Sequence, residues 1–171
     1  AGEKPLYLLY DQIYSQLTFG QHEHFNPVSL RPELKDYVIF VDGASKCFAS
    51  TGVRVGWGFG PTNIITNMKA IVGHMGAWSP KAEQVAMAKF LKQENDVNSY
   101  LSKIKSNIQD SLNTLHEGFQ QLKAEGFKVD SIEPMGAIYL TVKVDYSGKT
   151  TPSGDVLKTS TDINFYLMKE A

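Results

Sequence analysis

The stretch that decides the fold is YVIFVDGASKCFASTGVRVGWGFGP, residues 37–61. Tyr37 to Val41 is a short apolar run rich in β-branched and aromatic residues, the composition of a strand. It leads through Asp42-Gly43-Ala44-Ser45 to Lys46, and Arg54 follows eight residues later. A second apolar run, Arg54 to Phe59, predicts another strand before Gly60-Pro61. An ammonium group at the end of a buried strand is costly to desolvate. Lys46 is therefore either a snorkelling surface residue or a residue with a chemical task.

Outward from this stretch, strands and helices alternate. Leu6 to Tyr10 is a continuous apolar run, the pattern of a strand buried on both faces of a parallel sheet, and Asp11 follows it directly. Gly20 to Pro32 is polar and reads as a loop; Arg31 to Asp36 carries a proline suited to the first turn of a short helix. Thr62 to Met75 has Ile64, Ile65, Met68, Ile71, Val72 and Met75 at helical spacing, with the methionines read as core. Ser79-Pro80 predicts a helix start, Ser79 as N-cap, with the helix reaching Lys92. Asp96 to Glu125 carries Val97, Leu101, Ile104, Ile108, Leu112, Leu115, Phe119 and Leu122 on one stripe. That helix is about 40 Å long at ~1.5 Å per residue, longer than one ordinary layer, and Gly126 should stop it. Beyond it, Phe127 to Val129 and Gly136 to Val144 read as strands, and Asp162 to Ala171 as a helix broken off in mid-pattern.

Composition narrows the function. Charge is balanced, 17 basic against 18 acidic residues, so nothing points to nucleic acid or to an anionic membrane. The apolar runs are too short to span a bilayer. A single cysteine, Cys47, cannot form an internal disulfide, which fits a cytoplasmic protein. Beside Lys46 it could be a reactive thiol; a buried filler is the default reading. His22-Glu23-His24 lacks a third placed metal ligand, so no metal site is expected. Ser147-Gly148-Lys149-Thr150 resembles the end of a phosphate-binding loop, but Lys143 stands where that loop needs glycine. Gly56, Gly58 and Gly60 miss the dinucleotide spacing.

Read as chemistry, the chain offers an amine at Lys46, a planar cation at Arg54, an anion at Asp11 and a phenol at Tyr14. An amine could attack an aldehyde and a guanidinium could clamp a phosphate. Pyridoxal phosphate would use all four groups. The same residues could equally be a surface lysine, a salt-bridge partner and a helix cap, and the spacing alone leaves both readings open.

Asp42 to Trp57 resembles the lysine segment of pyridoxal-phosphate-dependent aminotransferases of the aspartate aminotransferase family, fold type I: Ser-Lys, a small and aromatic stretch, Thr-Gly, one residue, then Arg. Asp11-Gln12-Ile13-Tyr14 resembles that family's Asp-x-x-Tyr, and Pro134 to Tyr139 its Pro-x-Gly-Ala-Phe-Tyr. The resemblance implies an α/β fold. The chain would hold the C-terminal part of a mostly parallel-sheet large domain (1–95), a long linking helix (96–125) and the start of an α+β small domain (126–171). It implies that Lys46 carries pyridoxal phosphate as a Schiff base and moves the substrate's proton. Asp11 would pair with the ring nitrogen, Tyr14 with the phenolic oxygen and Arg54 with the phosphate. Ile13 would pack on one ring face. Many members carry a hydroxyl where Gly43 stands, and Ser45 is the substitute. Trp78 and Ser79 fall where the family approaches the partner subunit's active site, or are a core aromatic and a helix cap.

The implied activity is transfer of an amino group between an amino acid and a 2-oxo acid, in a cytoplasmic homodimer. Another reaction on the same cofactor (lyase, decarboxylase or synthase) and a non-catalytic regulatory module are the alternatives. The family's phosphate-binding glycine loop, ring-stacking aromatic and substrate-carboxylate arginine have no counterpart in residues 1–171. The chain thus reads as an internal slice of a longer protein, expected to bind the cofactor poorly and not to transaminate alone.

Overall fold

The computed structural model describes residues 4–170. The chain divides into two compact units, the first comprising residues 1–109 with 135–137, the second residues 110–134 with 138–171. Long helix α5, Glu94–Ala124, carries the division within it.

The first unit is built on a sheet of three strands in the order β1-β2-β3. Strand β1, Leu8–Asp11, pairs in parallel with β2, Val38–Gly43, with Tyr10 opposite Phe40 and Asp11 opposite Val41. Strand β3, Gly56–Phe59, runs antiparallel to β2, with Phe40 opposite Phe59 and Gly43 opposite Gly56. The aligned aromatics form a ladder across the sheet: Phe40 stacks on Phe59 at 4.7 Å between ring centroids and meets Tyr10 edge-on at 5.7 Å. Such cross-strand pairs pin register, because a slip of one residue would turn Phe40 to the opposite face. Val38 and Phe40 are buried on one face of β2, with Leu17, Phe19, Ala44, Cys47 and Val55 completing the core of this unit.

Asn26 and Ser29 form a capping box for the one-turn helix α1, Pro27–Leu30, within what the polar composition reads as loop. A 3₁₀ turn follows over Pro32–Asp36, where a short helix is expected. Helix α3, Thr62–His74, matches its periodic pattern. Helix α4 is Lys81–Phe90, with Pro80 rather than Ser79 as its N-cap, because Pro80 keeps an extended ψ of 134°.

Two burial expectations fail. Leu6 is 89% exposed and Leu9 62%, so β1 is not buried on both faces: it is an edge strand, and one of its sides has no paired neighbour among the described residues. Met75 is 73% exposed, so it is not core, and no residue of α3 is buried.

In the second unit α5 ends as expected at Gly126. Phe127 N–H donates to Leu122 O (3.1 Å) and Gly126 N–H to Lys123 O (3.0 Å), the paired closure that satisfies the last carbonyls. Of its apolar stripe only Leu112 is buried. Strands β4, Val129–Ser131, and β5, Val142–Val144, form an antiparallel pair. Lys123 Nζ bonds Asp130 Oδ2 at 2.6 Å; with donors from Gln120 and Ser131 it holds the Asp130 carboxyl down to about 2. Helix α6, Ser160–Glu170, starts at Thr159, whose hydroxyl and N–H exchange hydrogen bonds with Asp162; Ala171 lies outside the described residues.

The strand expected over Gly136 to Val144 is broken. Gly136 pairs with Thr18 in an isolated antiparallel bridge, the chain turns at Ala137, and only Val142–Val144 joins β4. Phe19 N–H donates to Met135 O (3.0 Å) and Ala137 N–H to Leu17 O (2.8 Å), which draws residues 135–137 into the first unit. A Cβ at Gly136 would stand 2.8 Å from Leu17 O. Gly136→Ala must move one of two hydrogen-bonded backbones, so it should destabilise by about 1–3 kcal/mol, read as a lower urea midpoint at unchanged slope.

Candidate functional site

The strand directions bring the candidate residues to one end of the sheet. Asp11 closes β1, and Lys46 follows the end of its parallel neighbour β2 by three residues. Because β3 runs back against β2, Arg54 precedes the start of β3 at the same end. This is the C-terminal end of the parallel pair, where α/β sheets carry ligand groups.

Lys46 sits on a one-turn helix α2, Ala44–Cys47, whose N-cap is Gly43. The helix starts abruptly because Ala44 N–H is already bonded to Val55 O (3.0 Å), and past its C-cap, Phe48, the chain turns at Ala49, with a φ of 46°. The turn beyond is braced by Ser50 Oγ donating to Ala44 O (2.8 Å) and by Tyr100 Oη donating to Phe48 O (3.0 Å). Phe48 packs edge-on against Phe90 at 5.4 Å. A lysine on so short a helix is held by these braces rather than by helix propagation. Lys46 and Ser45 are both half-buried.

Arg54 is exposed, has a left-handed backbone with φ 57° and ψ 38°, and donates from Nη1 to Thr51 O at 2.9 Å. A non-glycine residue in that region stores strain and commonly marks a functional turn.

Asp11 caps its own turn: Oδ1 accepts from Ile13 N–H at 3.1 Å. Asp11 and Tyr14 line an open cleft of about 420 Å³ together with Tyr10, His24, Met135 and Gly136. Tyr10 holds the cleft's outer loop, its hydroxyl donating to Phe25 O at 3.0 Å. The Ile13 side chain lies over Gly43, 3.6 Å from where a Cβ there would stand.

Asp42, to which the sequence assigns no role of its own, is part of this end. Its Oδ1 accepts from Gly43 N–H (2.7 Å) and its Oδ2 from Gln12 Nε2 (3.3 Å). Burial pushes its carboxyl above the usual range, the two hydrogen bonds oppose that, and Asp11 adds to the rise. The carboxylate beside a glycine before the lysine was the one available signal.

Cys47 is buried, with Sγ against Gly43 O at 3.6 Å, and desolvation with the Asp42 charge pushes its thiol up to about 11. This fits a filler and not a nucleophile. At pH 7, alkylation of native Cys47 by iodoacetamide should be at least ~100-fold slower than that of a free thiol, measured by mass spectrometry. His22 and His24 line the cleft, and no cluster of metal-ligating side chains is found among the described residues. No described helix is long and apolar enough to cross a membrane.

The donor set fits an anionic aldehyde bearing a basic ring nitrogen: amine, guanidinium, carboxylate and phenol stand at one sheet end. Residues 1–162 match the family described as aminotransferase class I and II. A probable aspartate/prephenate aminotransferase of Rickettsia bellii is 31% identical over 162 residues, covering 94% of this chain and 39% of that protein. The crystal structure of the aspartate aminotransferase of Rhizobium meliloti superposes with a TM-score of 0.85 at 28% identity, over 96% of this chain and 40% of that one. An aspartate aminotransferase of Thermus thermophilus with maleate gives 0.71 at 26%, over 80% and 33%. The chain spans about two fifths of the length of the first two of these relatives. The fold agrees with a family match that runs through nearly the whole chain, which belongs to the aminotransferase class I and II family.

Proposed function

We propose that the protein is a pyridoxal-phosphate-dependent aminotransferase that moves an amino group between an amino acid and a 2-oxo acid. The observation that carries this is the gathering of Asp11, Tyr14, Lys46 and Arg54 at one sheet end in a chain of this family. Pyridoxal phosphate, when bound, supplies an electron sink for the substrate's α-carbon. Lys46 Nζ would hold the cofactor and carry the proton to and from the α-carbon. Asp11 would keep the proton on the ring nitrogen. Tyr14 would donate to the phenolic oxygen, Arg54 and Ser45 would bind the phosphate, and Ile13 would cover one ring face.

The proposed organisation is a large-domain segment over 1–95, a linking helix over 96–125 and the start of a small domain from 126. A homodimer is supported by the exposed Ile71, Met75 and Trp78 on and after α3. A cytoplasmic setting is supported by the lone buried thiol. Relatives named for aspartate and prephenate make an acidic amino acid and an oxo acid the first substrates to try.

The test is a half-reaction. The full-length protein, loaded with cofactor and given aspartate and a panel of amino acids without an acceptor, should yield the 2-oxo acid and pyridoxamine phosphate in equal amounts. Release of carbon dioxide or a β-leaving group instead would assign a decarboxylase or lyase. No reaction with any amino acid would favour a regulatory module.

A further inference from the structure

One side-chain pair ties the end of β1 to the entrance of the lysine helix. Gln12 directly follows Asp11; its N–H donates to Val41 O (3.0 Å) and its Nε2 to Asp42 Oδ2 (3.3 Å). The second carboxylate oxygen of Asp42 accepts from Gly43 N–H (2.7 Å), and Gly43 is the N-cap of α2. The backbones are pressed together at this point. A Cβ at residue 43 would stand 3.0 Å from Val55 O, 3.1 Å from Gly56 Cα and 3.6 Å from Ile13 Cδ1. The turn carrying Asp11 and Ile13 therefore lies directly on the segment that carries Lys46.

We propose that Gln12 and Asp42 act as a positioning pair, clamping the Asp11–Ile13 turn to the Gly43–Lys46 segment so that ring-nitrogen partner and lysine keep a fixed separation. This rests on the cofactor reading above. A half-buried carboxylate close to a second one is expensive, and an apolar residue would avoid the cost. What a carboxylate supplies here is two diverging acceptors, one for the backbone of the lysine segment and one for the amide of the β1 turn. Neither Gln12 nor Asp42 needs to touch the cofactor for the clamp to act.

A double-mutant cycle on the full-length protein tests the clamp, with Gln12→Ala, Asp42→Ala, the double variant and Asp42→Asn. The readouts are the dissociation constant of pyridoxal phosphate from the reconstituted apoprotein and the pH midpoint of the bound cofactor's visible band. Each alanine variant should weaken binding by about tenfold and move the midpoint, since a hydrogen bond to a charged group is lost. The double variant should be no worse than either single one, because the two residues act as a unit. Asp42→Asn should restore binding and midpoint, as the Gln12 amide can turn over and offer its oxygen. Wild-type binding and midpoint in both alanine variants would overturn the clamp, as would additive losses or an Asn variant as impaired as the Ala variant. Gln12→Ala, at a turn, tests it even where Asp42→Ala fails to fold. Lys46→Ala run alongside separates the two claims. If that variant still holds pyridoxal phosphate covalently, the cofactor reading falls and takes the clamp with it. If it releases the cofactor while Gln12→Ala and Asp42→Ala match wild type, the clamp alone falls.

Discussion

Lys46→Ala in the full-length protein is expected to abolish covalent retention of pyridoxal phosphate and to lower amino transfer by at least ~10²–10⁴-fold. The lower bound follows from proton transfer alone: a positioned side chain that carries a proton contributes a factor of that size, and alanine has no proton to give. Loss of the covalent tether adds to it. The substitution should leave the fold intact. Alanine suits a helical position, and the helix is held by Ala44 to Val55, Ser50 to Ala44 and Tyr100 to Phe48, none of which uses the lysine side chain. A stability change within about 1 kcal/mol is therefore expected alongside the chemical loss. Borohydride reduction followed by peptide mass analysis reads the result directly, as a cofactor mass on the peptide containing Lys46 in wild type and on no peptide in the variant. A cofactor mass on another lysine in the variant would remove Lys46 from its role.

What the sequence disclosed and what it withheld separate along a physical line. The strand ending at Asp42-Gly43, the periodic stripe of α3 and the long α5 were legible because each is a local pattern, period two or 3.6, written in adjacent residues. The motifs nominate Asp11, Tyr14, Lys46 and Arg54, and these are the residues to which the proposed function gives roles. Burial was not. Leu6 to Tyr10 has the composition of a strand covered on both faces, yet β1 lies at the edge of a three-stranded sheet, and coverage depends on neighbours that composition does not name. Gly136 was also misread, as the start of a long strand. Its partner is Thr18, far back in the chain, and the pattern of residues 136–144 carries no trace of that pairing. Asp42 was hidden for a related reason: beside glycine it looks like a turn former, and only the folded chain brings Gln12 to it.

Asp11→Ala should cost about 10²–10³-fold in kcat/KM for amino transfer, the loss associated with removing one preorganised group aimed at developing charge. In the proposed role the carboxylate would hold a proton on the ring nitrogen, and a protonated ring accepts the electron pair of the α-carbon far better than a neutral one. Its aim is set locally. Oδ1 accepts from Ile13 N–H at 3.1 Å, which orients the carboxyl plane; the proposed ring contact would use the second oxygen. Asp11→Asn is the sharper test, because the amide keeps this bond and the side chain's volume but cannot hold a proton on the nitrogen as an ion pair. Asn should therefore lose nearly as much activity as Ala while binding pyridoxal phosphate better than Ala does. A ring nitrogen that titrates below neutrality in the Asn variant, followed by nitrogen NMR with labelled cofactor, would locate the loss at the proton. An Asn variant as active as wild type would mean that Asp11 serves the turn and not the ring, and the carboxylate beside it on β2, Asp42, would be the next to replace.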